Sequence, residues 1–254
     1  MGKLRLPIIF SSDERDPAKY TTSDFTVQFQ NAFNFSNGSD FYLSVNKLST
    51  WYSYPNISAA NGTNIFTYSD GTTTYNHTIP DGIYDSEDLT NVIHSFMFDD
   101  GHYTGVAPDY VFPIRITANV NIGKFLFEID APYSIDFTTS SLYRLFGTTS
   151  SVKSADFTAE GRGDMTDGIN AVYVNCDFCY NSALVGGNHS SVIYAFSVDV
   201  SPYQSIVEAP TIRTMTQITS GRPKSVRIWL TDNLGRPIDL RGEAFSLNAE
   251  IIEV

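Results

Sequence analysis

Basic residues are scarce in this sequence. Lys and Arg number 16 among 254 residues, against 28 Asp and Glu, so the formal net charge is −12. Because an acidic chain repels a phosphate backbone, this charge argues against direct nucleic-acid binding. The sequence also lacks a run of about 20 apolar residues, so no membrane-spanning helix is expected.

Cysteine is nearly absent as well. The two residues of this type, Cys176 and Cys179, stand in a C-x-x-C spacing. A structural zinc site takes four ligands, and no second Cys or His pair has a matching spacing. We therefore expect two reduced thiols, on opposite faces of an alternating strand, and we expect no metal or other cofactor.

Signatures of catalysis are missing too. The sequence has no G-x-S-x-G elbow for a nucleophilic serine and no G-x-x-x-x-G-K loop for phosphate. His94 lies beside an apolar helical stripe, where a structural role is expected, and residues 99–102 (DDGH) are interpreted as a helix-ending turn. No pair of carboxylates stands out as a glycosidase pair. We predict that the protein is not an enzyme.

The sequence is rich in short runs in which apolar and polar residues alternate. Residues 25–30 and 41–46 are two such runs, and 245–251 is the last. Asp70-Gly71 separates two more, which is a strong hairpin signal. Many short alternating strands, with 15 Tyr and 18 Phe and few charges, predict an all-β antiparallel sandwich.

Two segments depart from this alternation. Leu89, Val92, Ile93, Phe96 and Met97 have helical spacing, and Asp85 or Ser86 is placed to cap the start, so we predict one longer helix. The segment SSLYRLFG (140–147) predicts a short helix that ends at Gly147.

The chain shows no composition break that argues for two domains. We predict an N-terminal arm over 1–23 and a single domain over 24–254. Residues 148–170 are polar and weakly periodic, which predicts an exposed loop of unusual length. This loop contains Arg162, Gly163 and Asp164, an Arg-Gly-Asp tripeptide that we interpret as a candidate receptor motif.

Several segments, taken in order, resemble one protein family. They are FYLSVNKLST (41–50), IPDGIYDSEDLTNVIHSFM (79–97), SSLYRLFG (140–147) and WLTDNLGRPIDLRGEAFSLNAEI (229–251). Their order and loose motifs are similar to those of the penton, or minor capsid, proteins of Polinton-like viruses, adintoviruses and virophages. Residues 148–170 depart from the family pattern.

This resemblance implies a single jelly roll that acts as a structural viral capsid protein in the virion. It further implies homopentamers at icosahedral vertices, set between trimers of a double jelly-roll major capsid protein and assembled inside the infected host cell. The length of 254 residues fits one jelly roll and not two.

Apolar and aromatic side chains are the expected contacts for such assembly. The predicted contacts are Leu6, Ile8, Ile9, Phe10, Trp51, Tyr52 and Tyr54. The arm is expected to reach neighbouring capsomers by adding its LPIIF segment to another sheet edge. The alternative is a jelly-roll carbohydrate- or receptor-binding attachment module, in which Trp51 and Tyr54 stack on sugars.

Overall fold

The structure is a computed structural model, and it describes residues 5–33, 35, 40–179, 183–185, 188–219, 221 and 223–254. The chain divides into two compact units. Unit 1 combines Met1–Tyr54 with Ile169–Val254, and unit 2 is Pro55–Gly168. The sequence predicted one domain behind an arm, but unit 2 is inserted between two strands of unit 1.

Strands and helices are numbered in chain order within the described residues. The strands of unit 1 are β1 (Arg5–Ser11), β2 (Asp24–Gln28), β3 (Phe41–Trp51), β11 (Val172–Cys176), β12 (Ala183–Val185), β13 (Asn188–Ser190), β14 (Val192–Phe196), β15 (Ser205–Glu208), β16 (Met215–Gln217), β17 (Ser225–Asp232) and β18 (Ser246–Glu253). The elements of unit 2 are β4 (Ile65–Ser69), β5 (Thr74–Thr78), α1 (Ser86–Asp99), β6 (Ile114–Asn119), β7 (Lys124–Ile129), β8 (Ser134–Asp136), α2 (Tyr143–Phe146), β9 (Val152–Lys153) and β10 (Phe157–Thr158).

Unit 1 is a two-layered antiparallel sandwich. We call the sheet with the order β1-β18-β3-β15, in which β16 also pairs with β3, the front sheet. The sheet with the order β14-β11-β17-β2 is the back sheet. Inward-facing residues of both sheets form one apolar core. In the front sheet, Phe10, Leu247 and Leu48 lie in one paired row and are fully buried.

Unit 2 packs two smaller sheets and two helices around a separate core. Its sheets have the orders β5-β4-β8-β9 and β10-β7-β6. Helix α1 begins where the sequence predicted, because the Asp85 carboxylate accepts hydrogen bonds from the backbone N–H groups of Glu87 and Asp88 at 2.8 Å. Helix α2 ends at Gly147, whose φ of 69° suits glycine.

The prediction of an antiparallel jelly-roll sandwich with one longer and one short helix is confirmed.

The predicted arm differs from the observed structure. Its residues Arg5–Ser11 pair with Ser246–Ile252 of the same chain along their whole length. These residues form a strand because they complete the front sheet, where Phe10 enters the core of unit 1.

Residues 148–170 also differ from the expected exposed loop. Lys153 pairs with Ile135, and Phe157 pairs with Phe127, so the segment runs along β8 and β7. Ala159 is buried, and its N–H donates to the carbonyl oxygen of Phe125 at 2.8 Å. The backbone of this polar segment forms its hydrogen bonds with other strands of unit 2. This pairing explains why the segment follows β7 and β8 although its hydrophobic periodicity is weak.

Candidate assembly surfaces

The outward side of the front sheet, here the front face, is defined by strand register. Residues directly opposite each other in an antiparallel sheet point to the same side. Ile9 lies opposite Asn248, which lies opposite Lys47, and this row alternates with the buried row of Phe10. Trp51 lies opposite Ser205 at the far end of β3. The front face therefore includes side chains from β1, β18, β3 and β15.

Exposed apolar side chains lie near the borders of the front face. Ile9 is 62% exposed and Trp51 is 41% exposed. Val207 on β15 and Met215 on β16 are also exposed. Between them lie small polar residues of the central strands, such as Ser49 and Ser246, which face each other across β3 and β18. A sheet surface with exposed apolar side chains at its borders is suited to packing against another protein.

The front face carries more positive than negative charge. Lys47 is exposed on it, and Arg5 and Arg213 both approach the Glu250 carboxylate, at 3.9 and 3.5 Å. Glu250 lies opposite Pro7, an outward position of β1. A second carboxylate on this face, Asp40, accepts a hydrogen bond from the Gln217 side chain of β16 at 3.3 Å. The three cations thus outnumber these two carboxylates, although the whole chain has a net charge of −12.

A second surface, in unit 2, has the opposite character, and we call it the acidic face. It follows the exposed side of α1 and the loop after it, and comprises Glu87, Asp88, Asn91, Ser95, Phe98, Asp99, Tyr103, Val106 and Asp109. The helical members are spaced by three or four residues, so they form one stripe. From residue 48 to residue 114 the sequence contains eight Asp and Glu but no Lys or Arg.

The acidic face ends in an aromatic cluster. The rings of Phe98 and Tyr103 stack at 4.7 Å, and Tyr110 packs against both, at 5.1 and 4.9 Å. The loop beyond is held by paired backbone hydrogen bonds between Thr104 and Val111, both 2.9 Å. At its tip Val106 is 78% exposed. The loop thus presents an apolar tip on an ordered support.

The two units therefore differ in charge. Unit 2 has 15 Asp and Glu against 5 Lys and Arg, a formal charge of −10, whereas unit 1 has 13 against 11, a formal charge of −2. The long segment without Lys or Arg was the signal that could have located the acidic face.

The predicted assembly contacts divide into two groups. Ile9 and Trp51 point outward on the front face. The other five belong to the core cluster of unit 1 or pack against it: Leu6, Ile8, Phe10, Tyr52 and Tyr54. Tyr54 is only 7% exposed, and burial raises the pKa of its hydroxyl. Stacking a sugar on Trp51 and Tyr54 together, as the alternative function requires, does not fit this burial.

The Arg-Gly-Asp tripeptide is anchored through its backbone. The Gly163 N–H donates to the carbonyl oxygen of Gly123 at 3.0 Å, and the Asp164 N–H donates to that of Leu145 at 2.8 Å. The Asp164 carboxylate accepts hydrogen bonds from the backbone and hydroxyl of Thr166, at 2.9 and 2.5 Å. Arg162 is exposed. Receptor binding by this tripeptide stays a prediction.

Both cysteines are free and buried in the core of unit 1. The prediction of opposite faces is wrong, because β11 ends at Cys176 and the following turn brings Cys179 back into the core. The Cys179 N–H donates to the Cys176 carbonyl oxygen at 3.4 Å. A hydrogen bond to Cys176, followed by burial, raises the pKa of the Cys179 thiol. Such a thiol is a poor nucleophile.

A polar network in unit 2 joins the β4–β5 hairpin to the end of α1. The buried Tyr68 hydroxyl donates to the Asp100 carboxylate at 2.5 Å and contacts His102 Nδ1 at 2.8 Å. His77 Nε2 lies 2.7 Å from the same carboxylate. Burial, and then the hydrogen bond to Asp100, raises the pKa of Tyr68. Residues 99–102 thus end the helix, as predicted, and fasten it to the hairpin.

Neither a metal site nor a membrane helix is found in the part of the chain that the structure describes. No group of three or more His, Cys, Asp or Glu residues is placed there to hold a metal ion. No helix there is both long and apolar enough to cross a bilayer.

Comparison with known proteins finds a likeness in fold but not in sequence. No family model and no curated protein matches the chain. The crystal structure of the mavirus penton protein matches over 100% of both chains, with a TM-score of 0.51 and 9% sequence identity. A chain in the cryo-EM structure of the Sputnik virophage matches over 98% of this chain and 97% of that chain, with a TM-score of 0.45 and 13% identity, and this weaker likeness supports no conclusion. The chain has the fold of a virophage penton protein, as the sequence resemblance predicted.

Proposed function

We propose that this protein is a structural component of a viral capsid. It forms homopentamers at the icosahedral vertices, between trimers of a double jelly-roll major capsid protein, and it performs no catalysis. The observation that carries the proposal is the likeness in fold to the mavirus penton protein over the full length of both chains.

The surfaces of the two units support an assembly role. The front face is a sheet surface with exposed apolar side chains at its borders, including Ile9 and Trp51. Such surfaces on soluble proteins mark sites of protein–protein contact. A ring of identical copies requires two different surfaces on each copy, since every subunit contacts a neighbour on either side. The front face and the acidic face are two surfaces of this kind.

The chemistry of the described residues favours binding over catalysis. Tyr68 and the two cysteines lie inside the units. A groove with a volume of about 550 Å³ lies over β6, β7 and β10, with Glu128 and Asp156 among its lining residues. Arg115 pairs with Glu128 at 3.0 Å, which keeps that carboxylate in an exposed ion pair.

The test is assembly with a major capsid protein. The chain is co-expressed with a double jelly-roll major capsid protein from the same genome, and particles are purified by sedimentation and imaged by cryo-EM without imposed symmetry at the vertex. We expect the chain to co-sediment with particles and to appear as five copies at each vertex. Closed particles whose vertices lack the chain, with the chain left in the soluble fraction, contradict the proposal.

A further inference from the structure

The two surfaces are opposite in charge, and each exposes apolar side chains. The front face presents Arg5, Lys47 and Arg213 against Glu250 and Asp40, whereas the acidic face presents carboxylates with no cation in the surrounding sequence. Each also has exposed apolar groups. They are Ile9, Trp51, Val207 and Met215 on the front face, and Phe98, Tyr103, Val106 and Val111 on or beside the acidic face.

We propose that the front face of one copy binds the acidic face of the next copy. This inference rests on the proposed function in so far as the copies associate, and it names the two surfaces that meet. Apolar side chains such as Trp51 and Phe98 pack together in the contact, and the opposite charges of the two faces pair beside them. In interfaces of this kind, burial supplies affinity while charge selects the partner surface and the orientation.

Contacts between like surfaces are disfavoured by the same charges. Joining two front faces brings Lys47 and Arg213 of one copy towards the same residues of the other. Joining two acidic faces brings Asp99 and Asp109 of one copy towards those of the other, within a segment of sequence that contains no Lys or Arg. Like charges brought together across an interface are repulsive. A contact between unlike surfaces repeats from copy to copy, which is the requirement for a closed ring.

Lys47 and Asp99 suit a charge-swap test. Both are exposed, and the structure records no hydrogen bond or ion pair for either side chain among the described residues. The variants are Lys47→Glu, Asp99→Lys and the double variant that carries both. Self-association of the full chain is measured by sedimentation velocity over a range of protein concentrations up to about 1 mM, at low and at moderate salt.

Each single variant is expected to weaken association by about 10-fold or more at low salt, because it places like charges across the contact. The double variant is expected to recover to within about 3-fold of the wild-type chain, since the charges are again opposite. Matched controls are Lys224→Glu and Glu243→Lys, which make the same charge changes at exposed positions of unit 1 outside the front face. These controls are expected to associate like the wild-type chain.

The outcomes separate this inference from the proposed function. A double variant that is as weak as, or weaker than, the single variants overturns the pairing of these two faces, even if the chain enters particles. Single variants that associate like the wild-type chain overturn it as well. A wild-type chain that remains monomeric at every protein concentration also overturns the pairing of the two faces. In that case the proposed function is still decided separately, by whether the chain is incorporated into particles. Rescue by the double variant supports the inference even if vertex incorporation fails.

Discussion

Unit 1 and unit 2 are both built mainly from antiparallel strands, yet unit 2 carries a formal charge of −10 and unit 1 only −2. In both units Asp side chains accept hydrogen bonds from turn backbones. Asp232 of unit 1 accepts from the N–H groups of Leu234 and Arg236, and it also pairs with the Arg236 side chain. In unit 2, Asp70 accepts from Thr72 and Thr73 with no Arg or Lys nearby in the sequence.

This difference shows how aspartates that are needed for turns and helix caps can also set the charge of a surface. Aspartate is favoured in turns and helix caps because its carboxylate replaces missing backbone partners. Unit 1 balances such a carboxylate with arginine at Asp232, which accepts from turn N–H groups and also pairs with the Arg236 side chain. The first half of unit 2 has no cation to do so. The carboxylates in its turns and helix cap therefore leave a net negative charge, which another protein surface can recognise.

The largest expected effect comes from removing one buried aromatic ring in each core. Phe10→Ala in unit 1 and Phe127→Ala in unit 2 should each cost about 3–5 kcal/mol, because both rings are almost fully buried. Hydrogen exchange in increasing urea, followed peptide by peptide, measures each unit separately. We expect each variant to lose protection mainly in its own unit. If either substitution lowers amide protection equally in both units, the two cores do not unfold separately.

A smaller loss is expected at Gly163, in the segment that was predicted to be a loop. A methyl group at this position would collide with the ring of Phe125, so Gly163→Ala should destabilise unit 2 by about 1–3 kcal/mol. Urea unfolding monitored by tyrosine fluorescence measures the change. Arg162→Ala, at the exposed neighbouring position, is the control and should change stability by less than about 0.5 kcal/mol. Equal stability of both variants would mean that the tripeptide is not packed.

The buried network of unit 2 should respond to Tyr68→Phe. This change removes the hydroxyl between Asp100 and His102 and leaves two polar groups without that partner, at a cost of about 1–2 kcal/mol. Tyr203→Phe, at an exposed position of unit 1, is the control. Thermal unfolding is the measurement. If Tyr68→Phe leaves the melting temperature unchanged, the hydroxyl does not fasten α1 to the hairpin.

The smallest effect is a loss of stability of unit 2 in acid. Backbone hydrogen bonds from Thr73 and Thr72 lower the pKa of Asp70 from 3.8 to about 2, and Lys153 followed by Thr148 lowers that of Glu160 from 4.5 to about 2. A carboxylate whose pKa is lowered by folding stabilises the fold above its unfolded pKa. This stabilisation is therefore lost as the pH falls from about 4.5 to about 2.

Thermal unfolding between pH 5 and pH 2 measures this loss. Asp70→Asn should flatten the pH dependence, because the substituted side chain does not titrate. A parallel loss of stability in the variant and the wild-type chain over this range would show that Asp70 does not stabilise the folded chain.

Periodicity in the sequence was enough to predict the sandwich and both helices, since strand alternation and the cap at Asp85 are local signals. It was not enough to predict which residues of the first strand face outward. The run from Leu6 to Phe10 is apolar at consecutive positions, so either face could have been the buried one. Only pairing with β18 places Ile9 outside and Phe10 inside.

The insertion of unit 2 also escaped prediction, for a physical reason. Its junctions fall at Tyr54 and Gly168, and neither is marked by a long flexible linker in the sequence. Contacts between residues distant in sequence define the units, and such contacts leave no local pattern. The segment without Lys or Arg can be seen in the sequence. Its role in an interface can be proposed only once the structure shows where the front face and the acidic face lie.

The most direct test is zero-length cross-linking between copies. A carbodiimide joins a lysine amine to a carboxylate only when the two are in contact, and an equal mixture of ¹⁴N- and ¹⁵N-labelled chains identifies the links that form between copies. We predict mixed-isotope links from Lys47 to Asp99 or Asp109. Inter-copy links that join Lys47 only to carboxylates of unit 1 would contradict the pairing of the front face with the acidic face.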